Sequence, residues 1–390
     1  MSENKLLQPT REHLTRLIQF PTVSSDSNLD LIHYAQQVLE DAGARTTLTY
    51  DPHGRKANVF GTLGPDVDGG VVLSGHTDVV PVEGQAWDTD PFAAHDTGER
   101  TFGRGSCDMK GFIACALALA PTYAQMPLAR PVHFAFTYDE ETGCLGAPVM
   151  LDALREHGPQ PSIAIVGEPT SMQIIEGHKG CYEYTTNIVG LEGHGSEPGK
   201  GVNAVEYGVR YVTRLMELGK QLQAKAPADS AFEPPWATIS VGAMHGGIAR
   251  NIIAKECAIE WEMRPVQGGE AEFVMDEITR YAEDDLLPAM QTVYPEASLV
   301  THTIGAVGGL EPMKNAAAVE LARTLTGGNS TGLVSFGTEA GLFQDAGIAT
   351  VVCGPGSIEQ AHKPNEYVDH SQLQQCLDML TRLGHHLQQR

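Results

Sequence analysis

Val71-Val72-Leu73-Ser74-Gly75-His76-Thr77-Asp78 is an apolar run that stops at a small-residue turn, followed at once by an imidazole and a carboxylate. Three other stretches share this grammar. Val132 to Phe136 stops at Tyr138-Asp139-Glu140-Glu141, Ile163 to Val166 at Gly167-Glu168-Pro169, and Ala349 to Cys353 at Gly354-Pro355-Gly356-Ser357. Short apolar runs between helical segments read as buried parallel strands. In open sheets of that kind ligands bind beyond the carboxyl ends of the strands, so loops remote in sequence meet at one place. The expected fold is α/β, with a mostly parallel sheet and a polar site at its carboxyl edge.

Around these runs the periodicity is helical. Leu14, Leu17 and Ile18 follow Thr10, an expected N-cap. A second helix is expected from about Leu29 to Asp41, with Gly43 just beyond its end. The middle of the chain has a different rhythm. Cys181 to Val189 reads as a strand, and Asn203 to Leu222 as a helix with Val205, Val209, Val212 and Met216 at helical spacing. Strands at Thr238 to Val241 and Cys257 to Met263, a helix from about Glu270 to Ala282 and a strand at about Ala297 to His302 complete the set. That order, β-α-β-β-α-β, is a ferredoxin-like unit. It is expected as an inserted domain over 179–304, leaving 1–178 and 305–390 as a discontinuous first domain; Ala224 to Pro235 is expected as a surface loop.

Composition narrows the function classes. A chain of 390 residues exceeds what one core usually organises. The formal net charge of −23 argues against nucleic acid or an anionic membrane as partner. The seven cysteines form no CxxC pair, which suits a reducing compartment. Met1 to Leu6 lacks the apolar stretch of a signal peptide and no segment is apolar enough for a span, so a soluble cytoplasmic protein is expected.

Five residues at strand ends or Gly-rich turns stand out as metal-ligating candidates: His76, Asp108, Glu141, Glu168 and His362. Imidazole nitrogen and carboxylate oxygen suit zinc, and also cobalt or manganese. Asp78, two residues beyond His76, is placed to hold the second ring nitrogen. Glu140 and Glu141 stand side by side after a buried strand, where two charged carboxylates need a cation or raised pKa values.

The motifs Gly75-His76-Thr77-Asp78-Val79-Val80-Pro81, Gly103-Arg104-Gly105-Ser106-Cys107-Asp108-Met109-Lys110-Gly111, Asp139-Glu140-Glu141, Gly167-Glu168-Pro169-Thr170, Gly193-His194-Gly195-Ser196 and His362-Lys363-Pro364-Asn365-Glu366 occur in that order along almost the whole chain. Together they resemble the signatures of the M20 metallopeptidase and deacylase family. Phe336 to Phe343 and Cys353 to His362 resemble its acetylornithine deacetylase subgroup.

The resemblance implies two divalent metal ions, zinc or cobalt, bridged by Asp108, with His76 and Glu168 completing one and Glu141 and His362 the other. It implies Glu140 as general base, Asp78 as the partner of His76, and a cis peptide at Asp108-Met109. The metals would lower the pKa of a bridging water and polarise an amide carbonyl. His194 would donate to the oxyanion, reaching the neighbouring subunit of a homodimer formed through the inserted lid domain. Asn251 and Arg264 match positions that hold a substrate carboxylate, although Arg264 could instead pair with Glu262. Glu140 as ligand and Glu141 as base is the reverse alternative. Glu339 is read either as partner of a substrate amine or as a helix cap, and Gly356 either as pocket lining or as a tight turn. The expected activity is removal of the acetyl group from N-acetylornithine. Deacylation of another N-acyl (diamino) acid and di- or aminopeptidase activity are the alternatives. A non-catalytic relative is disfavoured because every expected ligand and Glu140 are present.

Overall fold

The computed structural model describes residues 5–313 and 316–389. Strands follow in chain order: β1 Arg45–Tyr50, β2 Ala57–Leu63, β3 Val71–His76, β4 His95–Asp96, β5 Arg100–Phe102, β6 Val132–Thr137, β7 Ile163–Pro169 and β8 Ile174–His178. They continue as β9 Cys181–Val189, β10 Thr238–Gly246, β11 Glu256–Arg264, β12 Ser298–Val307, β13 Thr331–Val334, β14 Ala349–Gly354 and β15 Tyr367–Asp369. The α-helices are α1 Leu7–Ile18, α2 Leu29–Asp41, α3 Lys110–Ala124, α4 Gly146–His157 and α5 Ala204–Ala224. After them come α6 Glu270–Tyr281, α7 Leu287–Gln291, α8 Ala317–Thr326, α9 Ala340–Asp345 and α10 His370–Leu387. Among the described residues no helix is long and apolar enough to cross a membrane.

The chain divides into two compact units. One runs to Gly177 and resumes over Pro312–Leu333 and from Thr338; the other is His178–Glu311 with Val334–Gly337. The second unit thus extends past the expected 304, because β12 stays paired with β9 as far as Val307 opposite Cys181.

The first unit is built on an eight-stranded sheet of order β1-β2-β6-β3-β7-β14-β8-β13. It is a mixed sheet. Its centre, β6-β3-β7-β14, is parallel, while β1, β2 and β8 pair antiparallel at the flanks. The four apolar runs read from the sequence are these four central strands. Every residue of β2, β3 and β6 is buried, so both faces of the sheet are covered there. Helix α3 is buried nearly all round and packs on α1, α10 and the sheet. One expectation is corrected: Thr10 lies inside α1, where its hydroxyl bonds back to the carbonyl of Leu6, so it does not cap the helix.

The second unit has a four-stranded antiparallel sheet of order β10-β11-β9-β12, with α5 and α6 in the β-α-β-β-α-β connection. It has its own core, in which Tyr184 stacks on Trp261 at 4.3 Å. Asn203 caps α5 by accepting from the amides of Val205 and Glu206. The buried stripe of α5 is Ala204, Gly208, Tyr211, Leu215, Leu218 and Leu222. Val209 and Met216, which share the helical spacing read as apolar, are 53% and 60% exposed. The helix carries two apolar stripes, and the sheet covers only one.

His133 on β6 is a buried histidine with both nitrogens satisfied. One ring nitrogen lies 3.1 Å from the Gly69 carbonyl and so must donate, which leaves the other to accept from the Thr62 hydroxyl at 2.9 Å. Burial pushes its pKa down to about 4, against the ordinary 6.5. As pH falls the unfolded chain takes up this proton first, so the stability it contributes is complete above about 6.5 and is lost toward about 4. Thermal unfolding of a His133→Gln variant should therefore fall less steeply between pH 6.5 and 4.5 than that of the wild type. Parallel slopes would refute this.

Candidate metal centre

The parallel centre of the first sheet explains why residues so far apart in sequence meet. β3 ends at His76, and β6 leads into the Glu140-Glu141 turn. β7 carries Glu168, β14 leads toward His362, and Asp108 sits in the loop just before α3. Parallel neighbours end on one edge, so their loops converge. A close approach supports this: a Cβ at Gly167 would lie 2.0 Å from the ring of Phe112 on α3, so only glycine lets β7 pack there beside Glu168. The peptide bond Asp108-Met109 is cis.

Two ligand groups form and share one residue. His76, Asp108 and Glu168 make the first; Asp108, Glu141 and His362 make the second. In the first, His76 Nε2 lies 3.1 Å from Asp108 Oδ1 and 3.8 Å from Glu168 Oε1. In the second, His362 Nε2 lies 3.5 Å from Asp108 Oδ2 and 3.1 Å from Glu141 Oε2. The two oxygens of Asp108 therefore face different groups. Glu140 belongs to neither; Glu141 is the glutamate that meets His362 and Asp108.

The electrostatics call for cations. Burial raises Glu140 and Glu168 well above the usual carboxylate range, and raises Glu141, with neighbouring carboxylates adding to each shift. Burial also opposes the charge on Asp108, yet hydrogen bonds from His362 and His76 hold its carboxyl far below the usual range. Hydrogen bonds to Asp108 and Glu141 push His362 up to about 10. Burial disfavours the imidazolium of His76, but Asp108 and Asp78 outweigh it and raise its pKa well above normal. Among the described residues, the buried Glu168 Oε1 has no hydrogen-bond partner. It is the oxygen that faces His76. Two ligands about 2.1 Å from one tetrahedral ion would stand about 3.4 Å apart, and the four separations of 3.1 to 3.8 Å bracket that value. The donor set fits a pair of divalent cations, with nitrogen and oxygen ligands suited to zinc, cobalt or manganese.

Neighbouring side chains hold this arrangement. His76 Nδ1 donates to the backbone carbonyl of Asp78 at 2.9 Å; the Asp78 carboxylate is at 3.6 Å, an ion-pair rather than a hydrogen-bond distance. Instead that carboxylate accepts from the amides of Glu140 and Glu141 at 3.0 and 3.3 Å, and from the Ser24 hydroxyl at 2.7 Å. It orients the glutamate turn, a role its spacing from His76 did not announce. The Cys144 thiol lies 3.7 Å from Glu140 Oε1. Lys56 pairs with Asp139 at 2.6 Å, holding the residue before Glu140, whose φ is +54°.

Glu339 stands at the N-cap position of α9, but its buried side chain makes no cap hydrogen bond there. Its oxygens accept from Ser74 at 2.5 Å and Thr137 at 2.8 Å, which ties the ends of β3 and β6. Gly356 makes a tight turn at φ +87°, and a Cβ there would lie 2.5 Å from the Cys107 sulfur, beside Asp108. His194, Asn251 and Arg264 belong to the second unit. His194 is exposed and its Nδ1 meets the Ser196 hydroxyl at 2.7 Å; it bridges to Ile252 next to the exposed Asn251. Arg264, at the end of β11, uses its Nε and Nη2 on Glu262 at 3.2 and 2.7 Å.

The match to known proteins agrees with this geometry. Residues 72–386 match the model of peptidase family M20/M25/M40. An M20 family metallo-carboxypeptidase from Sulfolobus solfataricus superposes with a TM-score of 0.76 at 16% identity, covering 97% of this chain and 99% of the other. A tripeptidase from Staphylococcus aureus gives 0.73 at 18% identity, covering 98% and 99%. A dinuclear metal-binding M20 peptidase from Bacillus subtilis gives 0.63 at 18% identity, covering 97% of each. With the family's model spanning most of its length and two ligand groups meeting at one aspartate, the chain belongs to peptidase family M20/M25/M40.

Proposed function

We propose that this chain is a two-metal amide hydrolase of small amino-acid derivatives. The observation that carries the reading is the shared Asp108, whose two oxygens face separate histidine-carboxylate groups. His76, Asp108 and Glu168 would hold one ion, and Asp108, Glu141 and His362 the other. Bound there, such ions polarise an amide carbonyl and lower the pKa of water.

Glu140 is the proton carrier of this reading. It lies outside both ligand groups, and burial beside other carboxylates raises its affinity for a proton. It takes the proton from the attacking water and returns it to the leaving amine. Asp78 fixes its backbone. His194 is assigned to the oxyanion, and Asn251 and Arg264 to a substrate carboxylate, for which Arg264 exchanges Glu262.

Two substrate classes follow. The peptidases among the similar structures favour a short peptide, and the same chemistry serves an N-acyl (diamino) acid. The segments Phe336 to Phe343 and Cys353 to His362 favour N-acetylornithine. The reading includes a homodimer through the second unit, where Val209 and Met216 on α5 and Val300 and Ile304 on β12 are exposed.

Metal-loaded protein incubated with di- and tripeptides and N-acetyl amino acids, N-acetylornithine included, should release free amine that a chelator abolishes. The substrate hydrolysed fastest decides the class, and no release from any of them would reject the hydrolase reading. Glu140→Gln should keep two ions by elemental analysis while kcat falls about 10²- to 10⁴-fold; unchanged kcat would remove Glu140 as base. Light scattering should give the mass of a dimer, and a monomer with full activity would remove the subunit-shared His194.

A further inference from the structure

Glu366 is a member of neither ligand group, yet it gathers the loop that carries Asp108. Its Oε1 accepts from the amides of Cys107 at 2.9 Å and Asp108 at 3.0 Å. Its Oε2 accepts from the amide of Gly105 at 2.9 Å and from Arg104 Nη1 at 2.8 Å. Its backbone carbonyl accepts from Gly103 at 2.9 Å. One residue thus satisfies four backbone donors of a loop that would otherwise bury them unpaired. Amides converging on an anion form a cradle that positions the backbone.

The same network reaches the other ligand loop. Arg104 and Glu366 are each 1% exposed and form a buried ion pair. Arg104 Nη1 also donates to the Lys363 carbonyl at 3.3 Å, and Nη2 to Gln85 Oε1 at 2.5 Å. Gln85 Nε2 in turn donates to the His362 carbonyl at 2.9 Å. His362 has a φ of +61°, a conformation uncommon outside glycine, so its backbone needs such support. Glu366 lies four positions after His362 and is joined to Asp108 by a hydrogen bond.

We propose that Glu366, through Arg104 and Gln85, is the positioning residue that sets the register of the Asp108 and His362 loops and so sets the affinity of the shared metal pair. A bridging carboxylate is sensitive to such register, because a small displacement takes one oxygen away from its group. The inference rests on the two-metal reading of the site.

Glu366→Gln tests it. The amide keeps the size of the side chain but turns two hydrogens toward donors, so either the Cys107 and Asp108 amides or the Gly105 amide and Arg104 lose their acceptor. Zinc affinity and stoichiometry are measured by competition with a chromogenic chelator, with unfolding of the chelated protein and kcat and KM alongside. Affinity is expected to fall about 10- to 100-fold, with kcat recovering at excess zinc and KM unchanged. A lower unfolding midpoint with wild-type zinc affinity would mean a purely structural role and overturn the proposal. If Glu366→Gln does not fold, the half-exposed Gln85→Ala replaces it. It should weaken one of the two ions several-fold, and wild-type affinity for both would overturn the proposal. Wild-type protein that binds no zinc, cobalt or manganese would reject the two-metal reading itself, a distinguishable result.

Discussion

Several carboxylates are buried together at one end of a sheet, and that constraint organises the first unit. Asp78, Asp108, Glu140, Glu141 and Glu168 crowd around two imidazoles, and burial alone drives most of their protons on rather than off. The protein hydrogen bonds do not relieve them all: among the described residues one oxygen of Glu168 has no hydrogen-bond partner. A cation is the economical solution, because each ion replaces protons that the carboxylates would otherwise have to bind. The sharing of Asp108 between two groups makes the cluster a candidate site for two ions rather than one.

The scaffold serves this site by being rigid close to it. Four parallel strands deliver their ends to one edge, and α3 is packed against them tightly enough that Gly167 admits no side chain. Behind the ligands stands a second set of carboxylates with different work. Asp78 holds the Glu140-Glu141 turn, Glu339 ties β3 to β6, and Glu366 gathers the Asp108 loop. Each accepts hydrogen bonds with both of its oxygens, which is how a buried carboxylate without a metal is kept.

The two adjacent glutamates show how position separates chemically identical groups. Glu141 shares its site with His362 and Asp108, whereas Glu140 stands outside both groups and next to the Cys144 thiol. Their backbone amides are both taken by Asp78, so the turn is fixed while the side chains diverge.

The sequence made the central strands legible, because a strand buried on both faces must be continuously apolar and its end must be marked by small or polar residues. It determined the motif residues and the β-α-β-β-α-β order of the second unit for the same reason, since local periodicity follows the local path of the chain. It did not disclose the flanking strands β1 and β2, whose Arg45, Thr46, Asn58 and Thr62 break the apolar pattern and are accommodated by neighbours. The outward turn of Val209 and Met216, the burial of Glu339 and the clasp of Glu366 on the Asp108 loop were decided only by the tertiary structure. Each depends on partners far away in sequence, Ser74 for Glu339 and the loop of residues 103–108 for Glu366, and a hydrogen bond across more than 250 residues leaves no local pattern to read.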